Sequence, residues 1–499
     1  PLSKADGVEV AGDYAFLDNE VRIPGVPALA HVGGHLVFTE KATTSRDFVA
    51  QALGGPVKIA VTTGDGHVRI AAAGTASVAA VRADFDTLLL QRVSGSAEWR
   101  LNATTASGGT TWTLESDLKG VGIEAPAPIG KGPEDVAALR VERREVPGRT
   151  AEDVLTVDYR RDLKLVLHRT LAKDAATVDR ALLLLGGAVA RGGTADRPGL
   201  WLRGQVAELD VDEWLALYRK ESARTPAGPA GTKPGGGLEL MGLDLTVARM
   251  DVFGRLLRDF SVAATRADAD WHLRLSGREI EGTAVWRAPT PSLPNGRVMA
   301  RLARLVPPGP DELHPPRSEV AAAETARHTW PELDITANAF VTRGGNDLGR
   351  AELLAQPSGP DWRITKFALT NPAGRIDASG WWRIAREHPR TELDFAMTTA
   401  DAGEFLVRFG YPVAVKSAPS EIKGTLAWAG APSDFDYPSL TGQFTLQTGA
   451  GQFTKIDPGI GKLLGVLSLQ ALPRRITLDF RDVFSEGFAF DDITGSFRI

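Results

Sequence analysis

The chain has 499 residues, of which 43% are hydrophobic and 24% charged, and its net charge at pH 7 is −5. These values are those of a globular protein with roughly two to four domains, and the acidic balance argues against a nucleic-acid binder, which needs a basic face. The sequence contains no cysteine, which excludes disulfides, thiolate metal sites and cysteine nucleophiles.

Alternation of apolar and polar residues is the main pattern along the chain, and it predicts β-strands with one apolar face. In chain order the alternating segments are 57–63, 67–74, 97–104, 111–118, 155–171, 271–275, 392–399, 421–430 and 474–480. Short helices are predicted over 82–93, 210–221, 401–409 and 458–471. The most apolar run, 181–190, is about half of the ~20 residues that a membrane-spanning helix needs. The sequence therefore predicts a mainly β protein with a few short helices.

Stretches rich in glycine and proline suggest where the chain is divided. Residues 222–237 and 306–317 have the composition of linkers. We therefore expect a β-region over 1–130, a second β-region over 131–237 that ends in the Gly/Pro linker, a β-unit over 238–305, a linker over 306–330 and a C-terminal β-region over 331–499.

A short repeat recurs along the chain, in which apolar residues follow a glycine at the second and fourth positions. It begins at Gly34, Gly95, Gly282, Gly380, Gly424, Gly442 and Gly495. We expect each glycine to be a turn residue that begins a strand with one apolar face. A longer repeat relates Leu243–Thr246 to Leu333–Thr336 and Trp286-Arg287 to Trp382-Arg383 at a nearly constant offset, which predicts two diverged copies of one β-unit in an elongated array.

Motifs that would carry catalysis are missing. The sequence has no Gly-x-Ser-x-Gly elbow, no His-Glu-x-x-His and no Walker loop; GIGKLLG at 459–465 has leucine where a phosphate loop needs Ser or Thr. His31 and His35 have the spacing of helical metal ligands, but the glycines between them break a helix. The acidic run at 210–214 opens a predicted helix, where carboxylates favour the N-terminal dipole. We therefore predict no enzyme, no metal site and no cofactor.

Several segments resemble one known family. Residues 423–497 resemble the C-terminal region of the YhdP-type AsmA-like proteins of Gram-negative envelopes, and residues 362–383 resemble the strand pair before it. Residues 52–63, 118–131 and 208–217 resemble the upstream region of the same family. The resemblance covers nearly the whole chain and is most specific in its last hundred or so residues.

This resemblance implies a fold and a function. Proteins of this type are elongated, repeating β-grooves in the periplasm that are implicated in moving phospholipid between the inner and outer membranes, without catalytic residues. The resemblance also implies that the parent protein is anchored in the inner membrane and that this chain is a C-terminal part without the anchor. The implied partners are phospholipid and both membranes, with no nucleic acid.

The alternation gives candidate positions for the lining of such a groove. The candidates are Trp286, Trp382, Ile384, Leu426, Trp428, Phe444, Leu446, Ile476, Leu478 and Phe480. The predicted helix 458–471, with Pro473 just after it, supplies an apolar end helix that packs against or caps the open end of the groove. Its apolar residues, with the leucine that follows, are Leu463, Leu464, Leu467 and Leu472.

Two rival functions compete with the lipid groove. In a closed β-sandwich that serves as an envelope scaffold, the same apolar faces would be sealed cores, and the alternation is identical in both structures. An envelope hydrolase would need a nucleophile and base pair, which the sequence motifs do not supply.

Overall fold

Most of the chain that the structure describes is β-strand, which confirms the predicted mainly β fold with few short helices. The computed structural model describes residues 10–22, 27–39, 42–64, 66–84, 88–106, 109–172, 176–224, 238–252, 255–307, 330–384, 389–432, 435–454 and 488–499. The chain divides into two compact units, Pro1–Ala248 (unit 1) and Arg249–Ile499 (unit 2).

Unit 1 is built from sequential β-strands. They are β1 (Ala11–Val21), β2 (Leu29–Thr39), β3 (Thr43–Ala52), β4 (Gly55–Gly64), β5 (His67–Ser77), β6 (Val93–Ala106), β7 (Gly109–Ser116), β8 (Val121–Ile123), β9 (Leu139–Val146), β10 (Arg149–Tyr159), β11 (Leu163–Leu171), β12 (Ala176–Leu185) and β13 (Gly199–Asp210). Successive strands pair antiparallel from β1 to β7; β8 pairs with the start of β6, and β7 pairs with β9. The antiparallel order continues to β12, whereas β12 and β13 are parallel.

The helices of unit 1 are short. They are α1 (Val78–Asp84), α2 (Gly187–Arg191) and α3 (Val211–Arg224), with a 3-10 helix over Leu88–Arg92. The single helix predicted over 82–93 is therefore wrong: the chain forms α1 and the 3-10 turn, and β6 begins at Val93. The helix predicted over 210–221 is present as α3, where Asp210 accepts a 2.9 Å hydrogen bond from the backbone N–H of Glu213. Capping explains why the acidic run begins a helix.

The crossover between the parallel strands β12 and β13 packs on one face of the sheet. A parallel pair requires such a crossover, and here it contains α2. Leu182 and Leu184 of β12 are buried together with Ala188 and Ala195 of the crossover. Leu183 points to the opposite face because side chains alternate along a strand. The crossover therefore covers one face of the sheet and leaves the face of Leu183 free of it.

Unit 2 repeats the sequential arrangement. After β14 (Leu240–Val252), which spans the division between the units, the strands are β15 (Arg255–Ala267), β16 (Asp270–Ser276), β17 (Ile280–Arg287), β18 (Arg297–Leu305), β19 (Glu332–Phe340), β20 (Arg350–Ser358), β21 (Asp361–Asn371), β22 (Gly374–Arg383), β23 (Arg390–Thr399), β24 (Val415–Ser417), β25 (Ser420–Ala429), β26 (Thr441–Thr448), β27 (Gly451–Phe453), β28 (Phe488–Phe490) and β29 (Ile493–Arg498). Antiparallel pairs run from β15 to β18 and from β19 through β23, β25 and β26 to β29, and the pair β18–β19 is parallel. The strands β24, β27 and β28 form a separate small sheet.

The helix predicted over 401–409 is present as α4 (Ala402–Arg408). Asp401 caps it, because its carboxylate accepts hydrogen bonds of 2.8 and 3.0 Å from the backbone N–H groups of Gly403 and Glu404. Of the linker predicted over 222–237, residues 222–224 belong to α3 and the rest lie outside the described residues, as do residues 308–329 of the linker predicted over 306–330 and the whole helix predicted over 458–471.

The recurring glycines lie inside strands, which corrects the prediction that they are turn residues. Gly424 sits in the middle of β25, where a Cβ would overlap the carbonyl oxygen of Gln443 and lie 2.5 Å from the Cβ of Phe444. At Gly380 of β22, a Cβ would overlap the carbonyl oxygen of Glu392. Neighbouring backbones approach too closely there for any side chain, which is how glycine permits a sharp bend in a sheet.

Candidate functional site

An unbroken apolar row crosses the strands of unit 2 on one face of its sheet. The register joins Ala264, Leu273, Ala284, Ala300, Ile335, Leu353, Phe367, Ala378, Phe395, Gly424, Phe444 and Phe497, one from each of β15–β23, β25, β26 and β29. A parallel row beside its last strands contains Leu369, Ile376, Met397, Ile422, Leu446 and Gly495. We call the face that carries these rows the unit 2 face.

Side chains in the last strands of the unit 2 face are half-buried. Phe395, Phe444, Leu446 and Phe497 all keep part of their surface exposed, and the rings of Phe444 and Phe497 stack with centroids 5.1 Å apart. The core of a closed sandwich would bury such residues completely. Their neighbours along β26 and β29, such as Thr445 and Ser496, point to the other side and are exposed. This part of the sheet therefore has one partly accessible apolar face and one polar face.

Ion pairs lie on the opposite side of the unit 2 sheet. They include Arg301 with Asp334 at 2.8 Å and Lys366 with Glu352 at 2.6 Å. Hydrogen bonds from these cations hold the pKa of the Asp334 and Glu352 carboxyls below their ordinary values. Charge is thus kept off the apolar rows and close to water.

An aromatic cluster closes the unit 2 face at one end of the strands. Trp362 and Trp382 are 5% and 9% exposed, and both pack against Trp330, with ring centroids 6.0 and 5.1 Å away. Ile384 packs against the same cluster. Further along this end, Trp428 is 4% exposed. These positions form a sealed core.

Polar hydroxyl groups border the face at the other end of the strands. Ser420 and Thr448 are opposite each other in the register, with their hydroxyl oxygens 2.7 Å apart, and Thr399 donates to the carbonyl oxygen of Ala373 at 2.6 Å. Beside them, Phe409 after α4 packs on the cluster that contains Leu369. The apolar rows therefore run between an aromatic end and a polar end.

The predicted groove positions fall into separate environments. Leu426, Phe444 and Leu446 come together on the half-buried part of the unit 2 face, whereas Trp382, Ile384 and Trp428 belong to the sealed aromatic end. Trp286 of β17 is half-buried, with Trp271 and Val298 as its cross-strand neighbours. The remaining positions lie outside the described residues: Ile476, Leu478, Phe480, Leu463, Leu464, Leu467 and Leu472.

Two apolar residues of the unit 2 face are not among the predicted groove positions. Phe395 and Met397 of β23 lie in the centre of the unit 2 face, next to Gly424 and Ile422 of β25. The alternation over 392–399 contains the signal for them, because Leu393, Phe395 and Met397 occupy every second position.

Unit 1 has an equivalent apolar face. Its register joins Ile59, Ala72, Leu101, Leu114, Val141, Val157, Leu165, Leu183 and Leu202, one from each of β4–β7 and β9–β13. Every one of these side chains is half-buried. This is the face that the α2 crossover leaves free, and we call it the unit 1 face.

Other candidate sites are weaker. Among the residues that the structure describes, no group of three or more His, Asp or Glu side chains is placed to hold a metal ion. His31 pairs with Asp18 at 2.6 Å, and His35 is opposite Arg46 in the β2–β3 register. Within the same described ranges, no helix has both the length and the apolar character to cross a membrane.

The chain is similar to proteins of one known family. A family model described as YhdP protein matches residues 1–499, the whole chain. The intermembrane phospholipid transporter YhdP of Escherichia coli (strain K12) is 25% identical over 389 residues, which cover 77% of this chain and 29% of that protein. The chain thus spans well under half the length of this relative. The resemblance to YhdP-type AsmA-like proteins is confirmed.

Proposed function

The chain belongs to the YhdP family, and from this premise we propose that it carries phospholipids along its apolar faces, as part of a non-enzymatic route between the inner and outer membranes of a Gram-negative envelope. The described residues work in the periplasm, and the full-length parent is anchored in the inner membrane. The relative's name, intermembrane phospholipid transporter, supports this assignment.

The observation that carries the proposal is the half-buried apolar row of unit 1 together with the half-buried apolar side chains in the last strands of the unit 2 face. On a hydrophobic face that is partly accessible, acyl chains can pack against side chains that are otherwise partly exposed to water. Each methylene group that is kept out of water contributes about 0.8 kcal/mol of favourable free energy. Burial of two acyl tails on such a face therefore offsets much of the cost of extracting a lipid from a bilayer. Strands of five or six residues span about 17–20 Å, which is enough for a tail that reaches across half of a ~30 Å hydrocarbon core.

A closed scaffold is the second candidate, and the aromatic end of unit 2 favours it. Trp362 and Trp382 are buried as in an ordinary core, and they contribute stability in either function. The two functions differ in what covers the half-buried rows around Phe395 and Phe444: lipid in a conduit, protein in a scaffold.

We expect the purified chain to carry phospholipid. Native mass spectrometry of protein extracted without detergent should show mass increments equal to intact phospholipids, and solvent extraction should release them. The reason is that exposure of the apolar rows to water is unfavourable, so that bound acyl chains lower the free energy. Lipid-free protein that also takes up no fluorescent phospholipid from vesicles would favour the scaffold and reject the conduit.

A further inference from the structure

Ionised side chains interrupt the unit 1 face near one end of its strands. The register places Glu145 of β9, Asp153 of β10 and Arg169 of β11 side by side. Arg143 lies two residues before Glu145 and therefore points to the same side of the sheet. We call Arg143, Glu145, Asp153 and Arg169 the rim cluster. It lies close to the β9–β10 hairpin, at the edge of the face.

Asp153 is the centre of the rim cluster. It has no exposed side-chain surface. Arg169 donates two hydrogen bonds to it, from Nε to Oδ1 at 2.8 Å and from Nη2 to Oδ2 at 2.7 Å. Arg143 donates a further hydrogen bond from Nε to Asp153 Oδ2. Burial acts to raise the pKa of Asp153, but these hydrogen bonds prevail and hold it below its ordinary value. Asp153 is therefore the fixed anion that holds two guanidinium groups in place.

The two arginines keep donors for another ligand. Their side chains are 17% and 21% exposed, and Asp153 engages only Nε of Arg143 and Nε and Nη2 of Arg169. Glu145 is a looser partner, with an oxygen 3.6 Å from Nη2 of Arg143. The Nη1 groups of both arginines make no hydrogen bond to any residue within the described ranges. Guanidinium groups with free N–H bonds are suited to bind phosphate oxygens.

The apolar residues beside the rim cluster have the dimensions of an acyl chain. From the row of Asp153, the face continues along β10 and β11 through Leu155 and Leu167 to Val157 and Leu165, which are all half-buried, and the next pair, Tyr159 and Leu163, is buried. The four residue steps of β10 from Asp153 to Val157 span about 14 Å, close to the half-thickness, about 15 Å, of a ~30 Å hydrocarbon core. A lipid whose tails lie along these strands has its headgroup at the rim cluster.

We infer that Arg143 and Arg169 bind the phosphodiester of a zwitterionic phospholipid headgroup, with the Glu145 carboxylate next to its ammonium group. This inference rests on the proposed function and deepens it. Two guanidinium and two carboxylate charges sum to zero in the rim cluster. A zwitterionic headgroup leaves that sum unchanged, whereas an anionic one adds an unbalanced negative charge where burial makes it costly.

The test removes the charge of the buried Asp153 together with the charges of the two arginines that pair with it. Breaking only one side of a buried ion pair is strongly destabilising, so the variant is the triple R143Q/D153N/R169Q, whose amides keep hydrogen-bonding capacity. Uptake is measured from donor vesicles of phosphatidylglycerol. Each vesicle preparation contains a trace of one fluorescent lipid, which is phosphatidylethanolamine, phosphatidylglycerol or diacylglycerol with the same labelled acyl chain. A hydrogen bond to a charged group contributes a net free energy of about 1.5–3 kcal/mol. Uptake of phosphatidylethanolamine by the triple variant should therefore fall at least about tenfold. Its uptake of diacylglycerol should not change.

Arg144→Gln is the matched control. Arg144 is the next residue along β9, points to the opposite side and is 70% exposed, so its loss should leave uptake of all these lipids unchanged. If the wild type takes up no lipid at all, the proposed function itself fails. If it takes up all of them equally and the triple variant does the same, transport stands and the headgroup site is rejected. The wild type could instead bind radiolabelled inorganic phosphate without any dependence of lipid uptake on the headgroup, and the triple variant could lose that phosphate binding. This result would reassign the site to free phosphate and overturn the headgroup inference.

Discussion

Phe444→Glu is expected to abolish lipid carriage by unit 2. Phe444 lies in the apolar row between Gly424 and Phe497, so the new carboxylate would stand among acyl chains and ring faces. A charge that stays desolvated costs at least a few kcal/mol, which corresponds to about a hundredfold or greater loss of bound lipid. The readouts are the amount of phospholipid that co-purifies with the variant chain, and the ability of the full-length parent with this substitution to complement a strain that lacks it.

The control lies one residue away on the other side of the sheet. Gln443 is exposed and faces Arg498 in the register, so Gln443→Glu adds the same charge where water and a cation receive it. Its effect on lipid carriage and on stability should be within about 0.5 kcal/mol. Phe444→Gln separates lost packing from added charge, and the melting temperature of each variant is measured beside its lipid content. Normal lipid carriage by folded Phe444→Glu would contradict a lipid path on this face.

Gly424→Ala is expected to destabilise the protein more than a single methyl group normally does. The new Cβ would overlap the carbonyl oxygen of Gln443 and press on Phe444, so β25 and β26 must separate. Overpacking of this kind costs about 1–3 kcal/mol, although glycine to alanine in an open strand is usually favourable. Equilibrium unfolding in urea gives the change in free energy of unfolding, and the midpoint should fall without a change of slope.

Gly64→Ala is the matched comparison for this effect. Gly64 ends β4, and nothing lies within 4 Å of the position that its Cβ would occupy. Because alanine restricts the unfolded chain, this substitution should be neutral or stabilising by up to about 1 kcal/mol. Equal effects of the two substitutions would show that the close approach of β25 and β26 is not a constraint.

Strands could be predicted from the sequence because a period of two is visible in a single segment. Leu426, Phe444 and Leu446 share a face in the structure for the reason that their spacing suggests. The environment of each position depends instead on what the register brings next to it. Trp382 and Leu426 occupy equivalent places in the repeat, yet Trp382 is sealed beside Trp330 and Leu426 remains half-buried.

Long-range register also explains what the sequence could not predict. The rim cluster needs Glu145, Asp153 and Arg169 to meet across separate strands, and as isolated segments they look like ordinary alternating charge. The prediction that the recurring glycines are turn residues fails for a related reason. A turn and a tight approach between strands both require the absence of a side chain, and only the pairing of Gly424 with Phe444 distinguishes the two.

The most direct test of the lipid path compares neighbouring positions on β26. Leu446 is half-buried on the unit 2 face, and Gln447 is exposed on the other side. A photo-crosslinking amino acid is placed at one position or the other in the full-length parent, cells are irradiated, and adducts are identified by mass spectrometry. We expect a phospholipid adduct at position 446 and none at position 447. Equal capture at both positions, or no capture at 446, would contradict a lipid path on the unit 2 face.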